Sequence, residues 1–232
     1  MKNVLIILGI LSSILILPNK AYSLLIDTFS VSTEYAVPFG EPNSGTYGQT
    51  FDVGSETYLD FIKVYINEQV FGSSNANNPT KFSLFVYDWN IDRIIGPALY
   101  ESPMQTIAMG EGLKEISFNI GANLTSGDYI FFGSASPFFD GLSDSARWAG
   151  VPDGGSYNGG HFYHFNNGNN FSLLSSNAWT SVPSFDLAFK LNLIDPPQEE
   201  PANPIPEPAT AFLLGSGLIY LTNRFKNLKK DF

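Results

Sequence analysis

The chain has no cysteine, which excludes disulfides, thiolate nucleophiles and Cys-ligated zinc. Histidine is almost as scarce, with His161 and His164 as the only two. At i, i+3 on a strand they point to opposite faces, so a two-His metal site is not expected. No G-x-S-x-G stretch occurs, which leaves a serine hydrolase without a readable signature. Positive charge is thin where nucleic acid would need it: residues 24–208 hold 21 acidic side chains against six basic ones, Lys63, Lys81, Arg93, Lys114, Arg147 and Lys190. Phosphate backbones are bound by Lys and Arg that displace counterions, so no nucleic-acid partner is expected and cations or neutral glycans fit better.

What the chain does have is 21 Gly, 15 Pro and as many aromatic as charged residues by share, 15% each, a mix that suits short strands and many turns. The clearest alternation runs from Ser184 to Ile194, where Phe185, Leu187, Phe189, Leu191 and Leu193 take one face and Asp186, Lys190 and Asn192 the other. Ile116, Phe118 and Ile120 alternate with polar neighbours in the same way. Further strands are expected at residues 46–53, 58–68, 80–89, 128–134, 145–151 and 161–166. Turn signals separate them at Asn78-Pro79, Gly96-Pro97, Thr125-Ser126-Gly127-Asp128 and Asp153-Gly154-Gly155. Nine to eleven short strands without helical crossovers predict an all-β fold: one antiparallel β-sandwich, jelly-roll-like, over residues 24–195.

Both ends read as targeting segments. Lys2, an apolar run at residues 4–17 and the small side chains Ala21 and Ser23 form a secretory signal peptide at residues 1–23, cleaved between Ser23 and Leu24. Retained, the same run would be an N-terminal anchor. Its 14 residues would span only about 21 Å as a helix, short of a hydrocarbon core of about 30 Å. At the other end, residues 196–208 are an extended Pro/Glu-rich linker. Residues 209–222 are again apolar, and Arg224, Lys226, Lys229 and Lys230 follow. Snorkelling of those basic side chains and the positive-inside rule favour a short C-terminal transmembrane helix.

The ordered trio of Pro206-Glu207-Pro208, an apolar segment containing Gly215-Ser216-Gly217, and a basic end resembles the PEP-CTERM sorting signal of Gram-negative bacteria. The resemblance covers residues 209–232 and the motif before them. It implies export by signal peptidase and recognition by an exosortase, with Pro206, Glu207 and Pro208 as the recognised residues and Arg224, Lys226, Lys229 and Lys230 as the stop signal. Membrane attachment through the C-terminal segment would then give way to the cell surface or an exopolysaccharide-rich matrix. The segments around Gly96-Pro97, residues 124–132 and Ala146-Arg147-Trp148 are similar to an all-β domain often found ahead of this tail, which implies architecture and no activity.

Chemistry is harder to read. Asp88 and Asp92 flank Trp89, as a sugar-cleaving cleft could use, but a glycosidase needs a carboxylate separation that spacing alone does not supply. Asp140, Asp144 and Asp153 sit among loop residues that would suit calcium, yet no D-x-D-x-D-G loop is present, and no cofactor is otherwise expected. Residues 154–170 interleave aromatics with Gly and Asn. That is either a loop and a strand or a glycan platform, with Trp89, Tyr157, Phe162 and Tyr163 as the contacts. The expected function is a non-catalytic surface or matrix protein. The alternatives are a carbohydrate-binding module and, behind it, a secreted glycan-active enzyme.

Overall fold

The computed structural model describes residues 23–41, 45–68, 78–108, 112–142, 145–152 and 157–197. The expected signal peptide before Ser23, the linker beyond Pro197, the sorting motif Pro206, Glu207, Pro208 and the basic residues Arg224, Lys226, Lys229 and Lys230 lie outside the described residues.

The described chain is all-β and its strand pairs are antiparallel. In order they are β1 (Ser23–Asp27), β2 (Glu34–Phe39), β3 (Thr46–Val53), β4 (Thr57–Glu68), β5 (Thr80–Asn90), β6 (Arg93–Glu101), β7 (Gln105–Ile107), β8 (Lys114–Leu124), β9 (Gly127–Ser134), β10 (Ala146–Pro152), β11 (Phe162–Phe165), β12 (Thr180–Val182), β13 (Phe185–Leu187) and β14 (Phe189–Ile194). One sheet is organised on β4, which pairs with β8 on one side and with β14 and β10 on the other; β1 extends β14, while β2 and β13 flank β10. The second sheet runs β12-β11-β3-β9-β5-β6, with β7 alongside β5. Among the described residues no helix is long and apolar enough to cross a membrane.

The two sheets pack face to face through period-2 apolar faces. Phe131 of β9 meets Phe189 of β14 at 5.2 Å between ring centres, and Phe39 of β2 meets Phe82 of β5 at 5.7 Å. Trp148 of β10 is fully buried between them, edge-on to Phe39 at 5.4 Å and to Phe82 at 6.0 Å. Room for it comes from Gly133, where a Cβ would lie 2.6 Å from the indole Cζ2.

Two local expectations are corrected. Gly96-Pro97 does not end a strand: both residues lie inside β6. Gly96 takes φ 68° beside a register shift between Val86 and Asp88, an arrangement that glycine accommodates without strain. Pro97 withholds an N–H where β6 has no register partner on β5, between Ile95 and Tyr100. The expected single strand over residues 184–194 is broken at Ala188. Its amide donates to the Ala149 carbonyl at 2.7 Å, while the Thr28 hydroxyl donates to Leu187 O at 3.0 Å and accepts from Phe189 N at 2.8 Å. One half of the segment follows β10 and the other follows β4.

Candidate functional site

A second aromatic core covers the outer face of the β3-β9-β5 sheet. Phe85 of β5 stacks on Phe132 of β9 at 5.2 Å, and Trp179 stands edge-on to Phe132 at 5.2 Å and to Trp89 at 5.4 Å. Residues 166–179, with one helical turn at Leu173–Ser176, fold back over this face. Trp179 fastens the fold-back with two donations, Nε1 to Leu174 O at 2.9 Å and its backbone N to Asp92 O at 2.8 Å.

Where this cover ends, an open cleft of about 410 Å³ lies between β3, the β5–β6 turn and the segment entering β11. One wall is apolar: Trp89, Tyr163 and Ile91, with the Trp89 and Tyr163 rings 4.8 Å apart. Trp89 is only 8% exposed, so it backs Tyr163 and offers little surface itself. Ile91 is 82% exposed and has φ 62°, in a tight turn closed by Asp92 N donating to Asn90 O at 2.7 Å. A β-branched residue in that region is strained, and a large apolar side chain held out into water is not explained by the core.

The opposite wall is acidic. Asp52 of β3 and Asp128 of β9 are register partners, so two exposed carboxylates sit directly across from one another. Like charges at that spacing are mutually unfavourable. No Lys or Arg is among the residues that line this cleft. The floor is built by Gly159 and Gly160. A Cβ on Gly160 would collide with the Thr50 backbone carbonyl, so only glycine lets this segment lie against β3. Thr50 and His161 then lock it, with Thr50 N donating to His161 O at 3.0 Å and His161 N donating to Thr50 Oγ1 at 2.8 Å.

A neighbouring depression of about 540 Å³ shares Asp52, Asn158 and Gly159 with the cleft and adds Tyr157, Glu56 and Leu24. The Tyr157 hydroxyl donates to Asp52 Oδ1 at 3.4 Å. Burial, and then the Asp52 carboxylate, push the Tyr157 hydroxyl pKa well above its ordinary range, so the ring stays neutral. Beneath it Asp186, only 2% exposed, is held by Gln49: Gln49 Nε2 donates to Asp186 Oδ1 at 2.9 Å and Leu187 N donates to Gln49 Oε1 at 2.9 Å. Tyr157 N donates to the other Asp186 oxygen at 3.4 Å.

Of the expected glycan contacts, Trp89 and Tyr163 meet in the cleft and Tyr157 lines the adjoining depression. Phe162 stands apart at 5% exposure, because strand alternation turns it toward the inter-sheet core beside Tyr47 and Phe185. The two histidines separate as the spacing implies: His161 lines the cleft, and His164 lies beside Tyr47 in a different depression. Asp88 and Asp92, which flank Trp89 in sequence, are not among the cleft-lining residues, and Asp92 accepts from Arg93 Nε at 2.9 Å. Of the calcium residues, Asp144 and Asp153 lie outside the described residues, while Asp140 is paired with Lys81 at 3.2 Å. Among the described residues no group of three metal-ligating side chains occurs. At the expected cleavage point, Ser23 opens β1 and its hydroxyl donates to Asn192 Oδ1 at 3.1 Å. Leu24 follows, exposed. Asp52, Asp128 and Ile91 carry no local sequence signal of a site, since only strand register and a turn bring them together.

No family model and no curated protein matches this chain. Among solved structures it is similar to the cysteine protease and lectin-like domains of Cwp84, a surface layer associated protein of Clostridium difficile. The TM-score is 0.40 and the identity 14%, over 66% of this chain and 33% of that one. The chain therefore spans about a third of the length of that structure.

Proposed function

We propose that this is an exported, non-catalytic protein of the cell surface or exopolysaccharide matrix whose β-sandwich holds carbohydrate in the cleft between Tyr163 and Asp52. The observation that carries the glycan part is the pairing of an apolar wall with an acidic one: Tyr163 and Ile91 offer a surface for the C–H face of a sugar ring, and the carboxylates of Asp52 and Asp128 accept from its hydroxyls. In this reading the sandwich is jelly-roll-like, since β3, β4 and β5, and then β7 to β11, pass alternately from sheet to sheet. The export part rests on the sequence of the two ends.

A glycan array probed with the full chain is expected to show binding, and Tyr163→Ala is expected to weaken it about fivefold, the ~1 kcal/mol that a stacked ring contributes. Absence of binding to every glycan, with and without calcium, would end the carbohydrate reading. Release of reducing sugar from the producer's own polysaccharide would replace it with an enzyme. The sorting reading is tested separately. A strain lacking its exosortase should retain the protein with the tail uncut and a correspondingly higher mass, and an unchanged mass would sink that claim.

A further inference from the structure

We infer that the ligand of the cleft is a cationic glycan, a chain of amino sugars whose amines are free. This deepens the carbohydrate reading and rests on it. The cleft sets two carboxylates, Asp52 and Asp128, side by side on paired strands; His161 is the basic side chain among the lining residues, which include no Lys or Arg, and Asp52 has the Tyr157 hydroxyl as a neutral donor. The chain as a whole is acidic, with a formal net charge of -10 at pH 7. Uronic acids, sulfated sugars and phosphates are repelled by such a surface. A neutral sugar gains hydrogen bonds there but leaves the repulsion between the carboxylates in place.

An ammonium group placed between Asp52 and Asp128 relieves that repulsion and makes charge-assisted hydrogen bonds to both. The ring that carries it presents axial C–H bonds to Tyr163 and Ile91 on the facing wall. A lone metal ion would leave that apolar wall unused. Asn158, shared between the cleft and the neighbouring depression, gives an amide for the next residue's hydroxyls, and the two hollows, about 410 and 540 Å³, adjoin through Asp52, Asn158 and Gly159.

The test is a calorimetric titration of the full chain at about pH 6 with a glucosamine oligosaccharide, its fully N-acetylated counterpart of equal length, and an oligolysine of equal charge. The glucosamine oligomer should bind about tenfold or more tightly than the acetylated one, with affinity falling as salt rises. Asp52→Asn and Asp128→Asn should each close most of that gap without lowering the melting temperature, because each also removes one partner of a repelling pair. Equal or tighter binding of the acetylated oligomer would overturn the cationic assignment and leave the glycan reading standing. Oligolysine binding as tightly as the amino sugar would overturn it in favour of a basic peptide. Failure of both sugars to bind would remove the glycan reading as well.

Discussion

Trp148→Ala should lower the melting temperature by roughly 10 °C, the largest loss expected from any single truncation in the inter-sheet core. The side chain is fully buried, contacts Phe39 and Phe82 edge-on, and occupies space cleared by Gly133. Truncating a buried Trp typically costs about 3–5 kcal/mol, through lost transfer energy and the cavity left behind. In a domain of this size each kcal/mol corresponds to about 2–4 °C. The rigid aromatic surroundings oppose collapse of the cavity, which favours the upper part of that range. Trp148→Phe separates packing from polarity. The indole Nε1 is buried without a hydrogen-bond partner, so Phe removes an unsatisfied donor while keeping most of the ring. Its cost should stay below about 1.5 kcal/mol. Thermal melts of the three proteins decide the matter, and a Phe variant as unstable as the Ala variant would mean that the indole N–H is satisfied after all.

The sequence makes strand-forming segments legible, but not the points where a strand breaks or changes partner, as the division of residues 184–194 at Ala188 shows. The strands expected at residues 46–53, 80–89 and 128–134 correspond closely to β3, β5 and β9, because segments of seven or more residues rich in aromatic and β-branched side chains and bounded by turn residues have few competing readings. β1, β2, β6, β7 and β12 lie outside the segments expected as strands, and residues 184–194 divide into β13 and β14, so the described residues hold fourteen strands where nine to eleven are expected. Trp89 illustrates the opposite difficulty. Its place on a strand was readable, but its burial depends on residues 166–179 folding back to set Trp179 against it, a long-range event with no local signature.

The cleft was half legible for the same reason. Aromatic residues interleaved with Gly and Asn drew attention to Tyr157, Phe162 and Tyr163, yet alternation divides that set: Tyr163 faces the cleft and Phe162 the core. Asp52 and Asp128 come from strands far apart in the sequence, and only the register of β3 on β9 sets them opposite each other. Ile91 lies in a turn between Asn90 and Asp92, where ordinary turn preferences would place glycine or asparagine at positive φ.

The second large effect is expected at Gln49, a polar side chain that is completely buried on the inner face of β3. Its amide bridges the sheets by donating to Asp186 and accepting from Leu187 N. Gln49→Leu preserves much of the volume but strands two groups at once, a buried carboxylate and a backbone N–H, and should destabilise by about 3–4 kcal/mol at neutral pH. The pH dependence gives the loss a signature. Burial raises the Asp186 pKa above its ordinary value, and the hydrogen bond from Gln49, the Tyr157 N–H and the His161 charge all pull it back down. A raised carboxyl pKa contributes stability that is fully present below the unfolded value of about 3.9 and is lost as pH rises through the folded value. Removing Gln49 takes away the largest of the opposing effects, so the folded value rises further and the variant loses more on going from acid to neutral pH than the native chain does. Its deficit in melting temperature should therefore be clearly smaller at about pH 4 than at about pH 7. Glu115, whose pKa is lowered by Lys63 and Tyr65, titrates in both proteins and cancels from the difference. The double variant Gln49→Leu with Asp186→Leu removes the stranded charge and should recover part of the loss, since replacing both buried partners by apolar groups is far less costly than removing one. A deficit that is the same at both pH values would show that Asp186 is not ionised in the folded chain, and that Gln49 acts there through packing and the Leu187 amide alone.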